Sequence, residues 1–268
     1  MRTERSPMIE VPELLIEGDG AEAIVLVHGW PDTLRLWERQ VEVLRPRYRC
    51  IRLTLPGFEA GSARHAYPLD EVIAAIGRAV DAAGRPVTLL LHDWGCFFGY
   101  QYAMRHPERV RRVVAIDVGD AGSRHHMQQS TGRQKLATVG YQLWLALAWR
   151  LGGRLGDWMA RKMAAALRAP ADPASVHSAM GYPYAVQWFG AGGGYRGLRA
   201  FRPHCPMLFV YGERKRVMFH STAWLRQIAA GAGSRVQAFD CGHWVMVERC
   251  DEFNRLLLDW LQAGDGAP

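Results

Sequence analysis

A carboxylate stands where an apolar run turns into a helical pattern. Pro86-Val87-Thr88-Leu89-Leu90-Leu91 reads as a buried parallel strand, and Gly95-Cys96-Phe97-Phe98-Gly99-Tyr100 opens a helix directly after it. A strand that passes into a helix through so tight a turn holds one residue in a strained conformation, its side chain above the sheet. This is the geometry of a nucleophile elbow, normally built around serine. Here the apex is Asp93, in His92-Asp93-Trp94-Gly95. The exchange changes the chemistry. A serine must be deprotonated by a histidine and attacks carbonyls, whereas a carboxylate with an ordinary pKa of about 3.9 is already ionised at neutral pH. It can displace a leaving group from saturated carbon and become an alkyl ester, leaving a histidine free to activate the water that hydrolyses that ester. The plainer alternative is an aspartate that caps the helix, a role that does not call for the flanking His92, Trp94 and Gly95.

Such a group needs a scaffold, and the chain alternates accordingly. Val11 to Glu17 reads as a strand or hairpin closed by Gly18-Asp19-Gly20, Ala23 to Val27 as a buried strand, Leu34 to Leu44 as a helix and Tyr48 to Leu53 as a strand. Leu69 to Ala83 is an amphipathic helix; after the elbow comes a strand from Val110 to Ile116. This order predicts an α/β fold, a mostly parallel central sheet with helices on both faces. From Ala121 to Pro203 the pattern turns helical and rich in Trp, Met and Ala, with no convincing strand. The sheet rhythm then resumes with a strand at Met207 to Tyr211, a helix at Thr222 to Ala230, a strand at Val236 to Phe239 and a closing helix from Glu248 to Gln262. The expected organisation is a core of residues 1–120 and 204–268 and a helical lid of residues 121–203, placed over the strand C-termini where open α/β sheets bind ligands.

Three segments, His28-Gly29-Trp30-Pro31 with Trp37, His92-Asp93-Trp94-Gly95, and Gly242-His243-Trp244 with Glu248, occur in an order that resembles α/β-hydrolases of the branch containing epoxide hydrolases and haloalkane dehalogenases. With the helical block between them they span nearly the whole chain. The resemblance implies a cofactor-independent, metal-free hydrolase in which Asp93 is the nucleophile and His243, just after the last strand, activates water. His65, His125, His126, His177 and His220 read instead as partly exposed loop histidines. Backbone N–H groups of Trp30 and Trp94 would form the oxyanion site.

The third triad member departs from the pattern. Epoxide hydrolases commonly carry it a few residues after the strand that follows the lid, and there this chain reads Tyr211-Gly212-Glu213-Arg214-Lys215-Arg216, with Lys215 in the expected aspartate position. Some dehalogenases place the acid after the strand that precedes the lid, an arrangement that Asp117 matches; geometry rather than chain position defines the role. Asp117 is therefore the favoured acid, ahead of Glu213 and Asp120. An epoxide's leaving oxygen stays attached as an alkoxide and needs acidic donors, which the related epoxide hydrolases supply from two lid tyrosines. Tyr141 and Tyr184 fall near those places, with Tyr182 a close competitor. A halide site would want an asparagine where Trp30 stands, or a lid tryptophan such as Trp144, Trp149, Trp158 or Trp188; alternatively Trp94 could donate its indole N–H to the departing halide.

The reading is thus an enzyme that opens epoxides to diols on a small apolar or amphipathic substrate. A haloalkane dehalogenase and a catalytically silent, ligand-binding hydrolase fold stand as alternatives. The 268 residues are 49% hydrophobic and 22% charged, ordinary for a globular chain. No apolar run reaches the roughly 18 residues of a membrane span, the N-terminus lacks a signal-peptide core, and five scattered cysteines suit reduced thiols. A cytoplasmic monomer or homodimer is expected. The net charge of +7 is uneven: residues 121–203 carry 11 Arg and Lys against Asp157 and Asp172, a local +9, leaving −2 elsewhere. Dispersed arginines without an accompanying motif do not make a nucleic-acid site. They suit a solvated face, or a basic surface toward anionic substrates or membranes. Leu143-Trp144-Leu145-Ala146-Leu147-Ala148-Trp149, flanked by Arg150, reads as burial over the pocket or as a membrane-touching stretch.

Overall fold

A computed structural model describes residues 13–265. Seven strands form one sheet: β1 (Leu14–Glu17), β2 (Glu22–Val27), β3 (Tyr48–Leu53), β4 (Val87–His92), β5 (Val110–Ile116), β6 (Met207–Gly212) and β7 (Arg235–Phe239). Their spatial order is β1-β3-β2-β4-β5-β6-β7. Only β1 runs antiparallel to its neighbour; the other pairings are parallel. The strand read from Val11 is seen from Leu14 onward, its first residues lying outside the described ones.

The apolar runs of the central strands follow from burial on both faces. Ala23, Val25 and Val27 of β2 and Val87, Leu89 and Leu91 of β4 point into one core layer, while Ile24, Leu26 and Leu90 point into the other. The first layer is covered by α2 (Leu69–Ala83) and α3 (Trp94–Arg105). The second is covered by α1 (Glu38–Leu44) and α10 (Cys250–Asp265). Helix α2 has Asp70 and Glu71 in its first turn and stops at Gly84, which takes the left-handed conformation.

Between β5 and β6 the chain makes α4 (Arg124–Gln129), α5 (Gly132–Leu151), α6 (Gly153–Leu167) and α7 (Tyr182–Phe189), and no strand among these described residues. A capping box between Thr131 and Gln134 starts α5. Helix α8 (Thr222–Ala229) then links β6 to β7, and α9 (Val245–Glu248) precedes α10.

Two helices differ from the sequence reading. Residues 34–44 divide into a 3-10 turn capped by Thr33 and then α1, with Trp37 leaving helical geometry between them. The closing helix breaks at Arg249, because Glu248 turns back and accepts the Gly242 N–H at 2.9 Å. That bond ties the helix start to the loop carrying His243.

The sheet order also locates the site. From β2 the chain goes to β3 on one side and then crosses through α2 to β4 on the other, so a topological switch point lies between β2 and β4, where such sheets open a crevice at their C-terminal ends. Val27 pairs with Leu91, His92 with Ile116 and Ile116 with Val210, so the residues after β2, β4, β5 and β6 emerge side by side. Helix α3 can begin there because Gly95 has no side chain: a Cβ would collide with the carbonyl oxygens of Val27 and, at 2.6 Å, His28. Gly95→Ala is expected to destabilise the protein by about 1–3 kcal/mol, the cost of overpacking against backbone that cannot move aside. Gly77→Ala, in α2 and facing only the Tyr102 ring at 3.6 Å, should instead stabilise by about 0.5–1 kcal/mol. Urea unfolding of the two variants checks both signs.

Candidate active site

Asp93 sits at the turn between β4 and α3 with φ +51° and ψ −121°. Among the described residues only three non-glycines have positive φ, and two of them, Asp93 and Asp117 (φ +75°), follow the adjacent strands β4 and β5. Both backbones are held in a sparsely populated region that points a carboxylate into the crevice. Asp93 Oδ1 accepts the Trp30 N–H at 2.9 Å, and the Trp94 N–H also bonds the carboxylate. Trp30 reaches it because Gly29 lies tight against the elbow, where a Cβ would come within 2.6 Å of the Trp94 nitrogen. Burial works against the Asp93 charge, yet hydrogen bonding and attraction from His243, with His92 and the Trp94 N–H, hold its pKa below the ordinary value.

The loop after β7 brings His243 over the same point, its Nε2 3.5 Å from Asp93 Oδ2. Its Nδ1 donates to Asp117 Oδ2. Burial disfavours the imidazolium, but Asp117 and then Asp93 outweigh it and raise the pKa to about 9. Asp117 is fully buried. Its Oδ1 accepts from the Lys215 ammonium and from the Gly212 N–H at 3.1 Å. Burial alone would raise its pKa; Lys215 and His243 hold it well below the carboxylate range.

Lys215 is therefore more than a vacated aspartate position. Its chain is almost wholly buried and its ammonium lies 5.5 Å from the centre of the Phe219 ring. The carboxylate reaches the imidazole from β5, and the lysine compensates it from β6. The other two acids go elsewhere: Glu213 is exposed, and Asp120 accepts from the N–H and hydroxyl of Ser221 and from Ser123.

The two tyrosines arrive from the helical insertion. The Tyr184 ring on α7 lies 5.2 Å from Trp94, 6.2 Å from Trp30 and 6.1 Å from the Tyr141 ring on α5. Both phenols are pushed up, first by burial and also by the negative charge of Asp93, so both stay protonated beside it. The Tyr141 oxygen accepts from Gln142 at 3.2 Å, leaving its own hydrogen to donate. Tyr182 is turned away, packed on Phe58 and Tyr67. Of the lid tryptophans, Trp144 donates its N–H to the Met159 carbonyl and Trp188 to Gln142, and Trp158 is 51% exposed.

Several residues near the site escaped the sequence reading. The His92 ring lies 4.5 Å from that of His243, tilted by 47°, and burial and that neighbour lower its pKa to about 3. Its place beside Asp93 was the available signal. His28, held neutral by burial with a pKa of about 4, bonds the Gly29 carbonyl and accepts the Leu55 N–H, bracing the loop that carries Trp30. Asp32, raised to about 7 by burial, accepts from the Trp244 indole at 2.9 Å. His126 and His220, read as loop histidines, are buried; His126 lies in α4 and bonds the Met218 carbonyl. A cleft of 860 Å³ that Asp32 lines with Arg52 and Phe58 includes neither Asp93 nor His243. Among the described residues no group of three or more His, Cys, Asp or Glu is arranged to hold a metal ion.

A family model described as the alpha/beta hydrolase fold matches residues 22–249. The chain belongs to this family. The α/β hydrolase is 29% identical to epoxide hydrolase 4 of Mus musculus over 102 residues, 37% of this chain and 28% of that protein. It is 34% identical to a cis-3-alkyl-4-alkyloxetan-2-one decarboxylase of Xanthomonas campestris over 104 residues, 35% of each chain. These aligned stretches span only about a third of the relatives' lengths. In fold, the α/β hydrolase is similar to a Bacillus megaterium epoxide hydrolase solved with an inhibitor, with TM-score 0.71, 19% identity, and coverage of 94% of this chain and 96% of that one.

Removing one member of a buried ion pair leaves the other uncompensated, at a cost of about 3–5 kcal/mol. Lys215→Met should therefore destabilise this α/β hydrolase by about 3 kcal/mol at pH 7 in denaturant unfolding, the lower end, since Asp117 keeps His243 and the Gly212 N–H. Lys215 acts by depressing the folded pKa of Asp117, so its contribution is present above the unfolded carboxylate pKa and is lost as pH falls. The deficit should be full above about pH 4 and shrink below it.

Proposed function

We propose that this α/β hydrolase opens epoxides to diols through an ester on Asp93, with residues 121–203 acting as the lid. The observation that carries the reading is the pairing of an ionised carboxylate at the elbow with two protonated phenols, Tyr141 and Tyr184, that feel its charge. A strained oxygen ring needs a nucleophile on carbon and a proton donor on oxygen at once. The relatives support this choice, because an epoxide and an oxetan-2-one share a strained oxygen ring.

In the first step Asp93 Oδ2 attacks a ring carbon, the C–O bond breaks, and a tyrosine O–H gives its proton to the departing oxygen. Oδ1 stays on the Trp30 N–H as the ester carbonyl. The resting imidazole, with its pKa near 9, is an imidazolium at neutral pH and cannot act as a base. Ester formation removes the Asp93 charge, one of the causes of that raised pKa, so the Nε2 proton passes to the tyrosinate and restores the phenol. Neutral His243, its Nδ1–H held by Asp117, then takes a proton from water that attacks the ester carbonyl carbon. Negative charge develops on Oδ1 between the Trp30 and Trp94 N–H groups. Collapse breaks the bond between the Asp93 carboxyl carbon and Oδ2; the departing alkoxide is protonated by the His243 imidazolium to give the diol, and the proton of the hydroxyl that water supplied returns to His243, which restores the carboxylate and the resting imidazolium.

A second reading, cleavage of a carbon–halide bond by the same aspartate, draws on the buried Trp30 indole N–H, which has no partner. Incubation with aryl epoxides and haloalkanes separates the two. Diol formation is expected; halide release without diol overturns the epoxide reading. His243→Gln should accumulate the alkyl adduct on Asp93, seen by peptide mass spectrometry, and Asp93→Asn should not. Tyr141→Phe and Tyr184→Phe should each slow adduct formation by about 10²-fold, the usual worth of a positioned acid. Absence of any adduct across a broad panel favours a silent, ligand-binding fold.

The charge coupling has its own check. In Asp93→Asn, which copies the neutral ester, the His243 pKa read by NMR titration should fall from about 9 toward its unperturbed value, by at least about one unit.

A further inference from the structure

The outer face of the helical insertion is apolar and basic at once. Among the described residues, twelve of the fifteen exposed large hydrophobic side chains lie between Met127 and Leu198. On α5 they form a stripe: Leu136, Leu143, Trp144, Leu147 and Leu151 fall within an arc of about 100° at helical spacing. Leu145 and Ala148, outside that arc, are buried. The stretch that read as either burial or a membrane contact is buried on one side of the helix and exposed on the other.

Helix α6 widens the patch. Leu155 is 56% and Trp158 51% exposed, and the Trp158 ring lies 6.5 Å from that of Trp144. Around these rings stand exposed Arg150, Arg154 and Lys162, with Arg133 and Lys135 at the start of α5. The carboxylate of the two helices, Asp157, is turned inward and accepts from the N–H and hydroxyl of Ser178. Trp144, Leu147 and Trp158 stand on the exposed sides of two neighbouring helices, so the patch is their crest. A contiguous apolar surface rimmed by charge of one sign marks a contact site. Self-association is disfavoured: an isologous contact would set the same cations against each other.

We propose that this crest docks on an anionic lipid surface, with Trp144, Leu147 and Trp158 at the acyl boundary and Arg150, Arg154 and Lys162 among the headgroup phosphates. Tryptophan with lysine and arginine on one helical face is the composition of interfacial helices, and each basic group near an anionic bilayer adds to binding. The docked face lies about one helix diameter, roughly 10 Å, from the inner side that carries Tyr141. The inference stands on exposure and charge and is independent of the reaction proposed above.

The test is flotation of the full chain with phosphatidylcholine vesicles lacking or containing about 30 mol% phosphatidylserine, at low and high salt. Binding is expected only with phosphatidylserine and should weaken at high salt. Leu147→Gln with Trp158→Gln, and separately Arg150→Gln, Arg154→Gln and Lys162→Gln together, should each lower the partition coefficient; the triple charge variant is expected to lose about 100-fold. Circular dichroism melts confirm folding, and the charge variant, which removes no apolar contact, keeps the test open if the apolar one misfolds. No binding by the wild-type chain, or binding indifferent to both variants, overturns the proposal. So does a dimer in sedimentation velocity that Trp158→Gln abolishes, which assigns the crest to a second copy.

Discussion

The arrangement depends on one buried carboxylate, Asp117, divided between two cations. Oδ2 holds the His243 imidazole and Oδ1 holds the Lys215 ammonium, with the Gly212 N–H as a third donor. Three donors on one carboxylate favour its charged form, so it stays ionised although it is fully buried. It fixes the tautomer of His243 by occupying Nδ1, which turns Nε2 toward Asp93. The ring is then gripped on its other side by His92, whose own charge is suppressed, and the loop behind it is tied by Glu248 to Gly242. Each contact removes a degree of freedom from the imidazole.

The sheet makes that convergence cheap. Four loops follow strands that are neighbours in register, so their first residues stand within reach of each other without long excursions. Asp93 and the Trp30 N–H that it accepts come from the ends of β4 and β2, the second carboxylate from β5, its lysine from β6 and the imidazole from β7. The phenols come from the insertion instead. The machinery therefore has a rigid floor supplied by the sheet and a ceiling supplied by helices.

Much of this was legible in the residues, and the parts that were not have physical reasons. Strand-and-helix alternation marked the core elements because strands buried on both faces must be apolar and amphipathic helices must cover them. Asp93 stood out because a charged residue between an apolar strand and a helix has few bland explanations. The acid was harder. Asp117, Asp120 and Glu213 are equivalent as letters, and what separates them is a positive φ and the register of β5 on β6, neither of which is written locally. Lys215 read as a defect because its partner lies 98 residues away in the chain. Tyr182 and Tyr184 flank one proline, and only the phase of α7 turns one toward Trp94 and the other toward Phe58. Buried His126 and His220 passed for surface histidines because a loop's burial depends on what packs over it.

Helix α3 rests directly on the carbonyls of β2 at Gly95, with no side chain between them. Asp93, at the start of that helix, therefore sits on main chain, and a shift of the helix toward β2 meets backbone that cannot move aside. The helices between β5 and β6 are not bound in this way, and their ends, loop glycines and rings can change without touching the sheet. The core thus gives Asp93 a fixed seat, and sequence change around that seat is tolerated most readily in the helices that stand apart from the sheet.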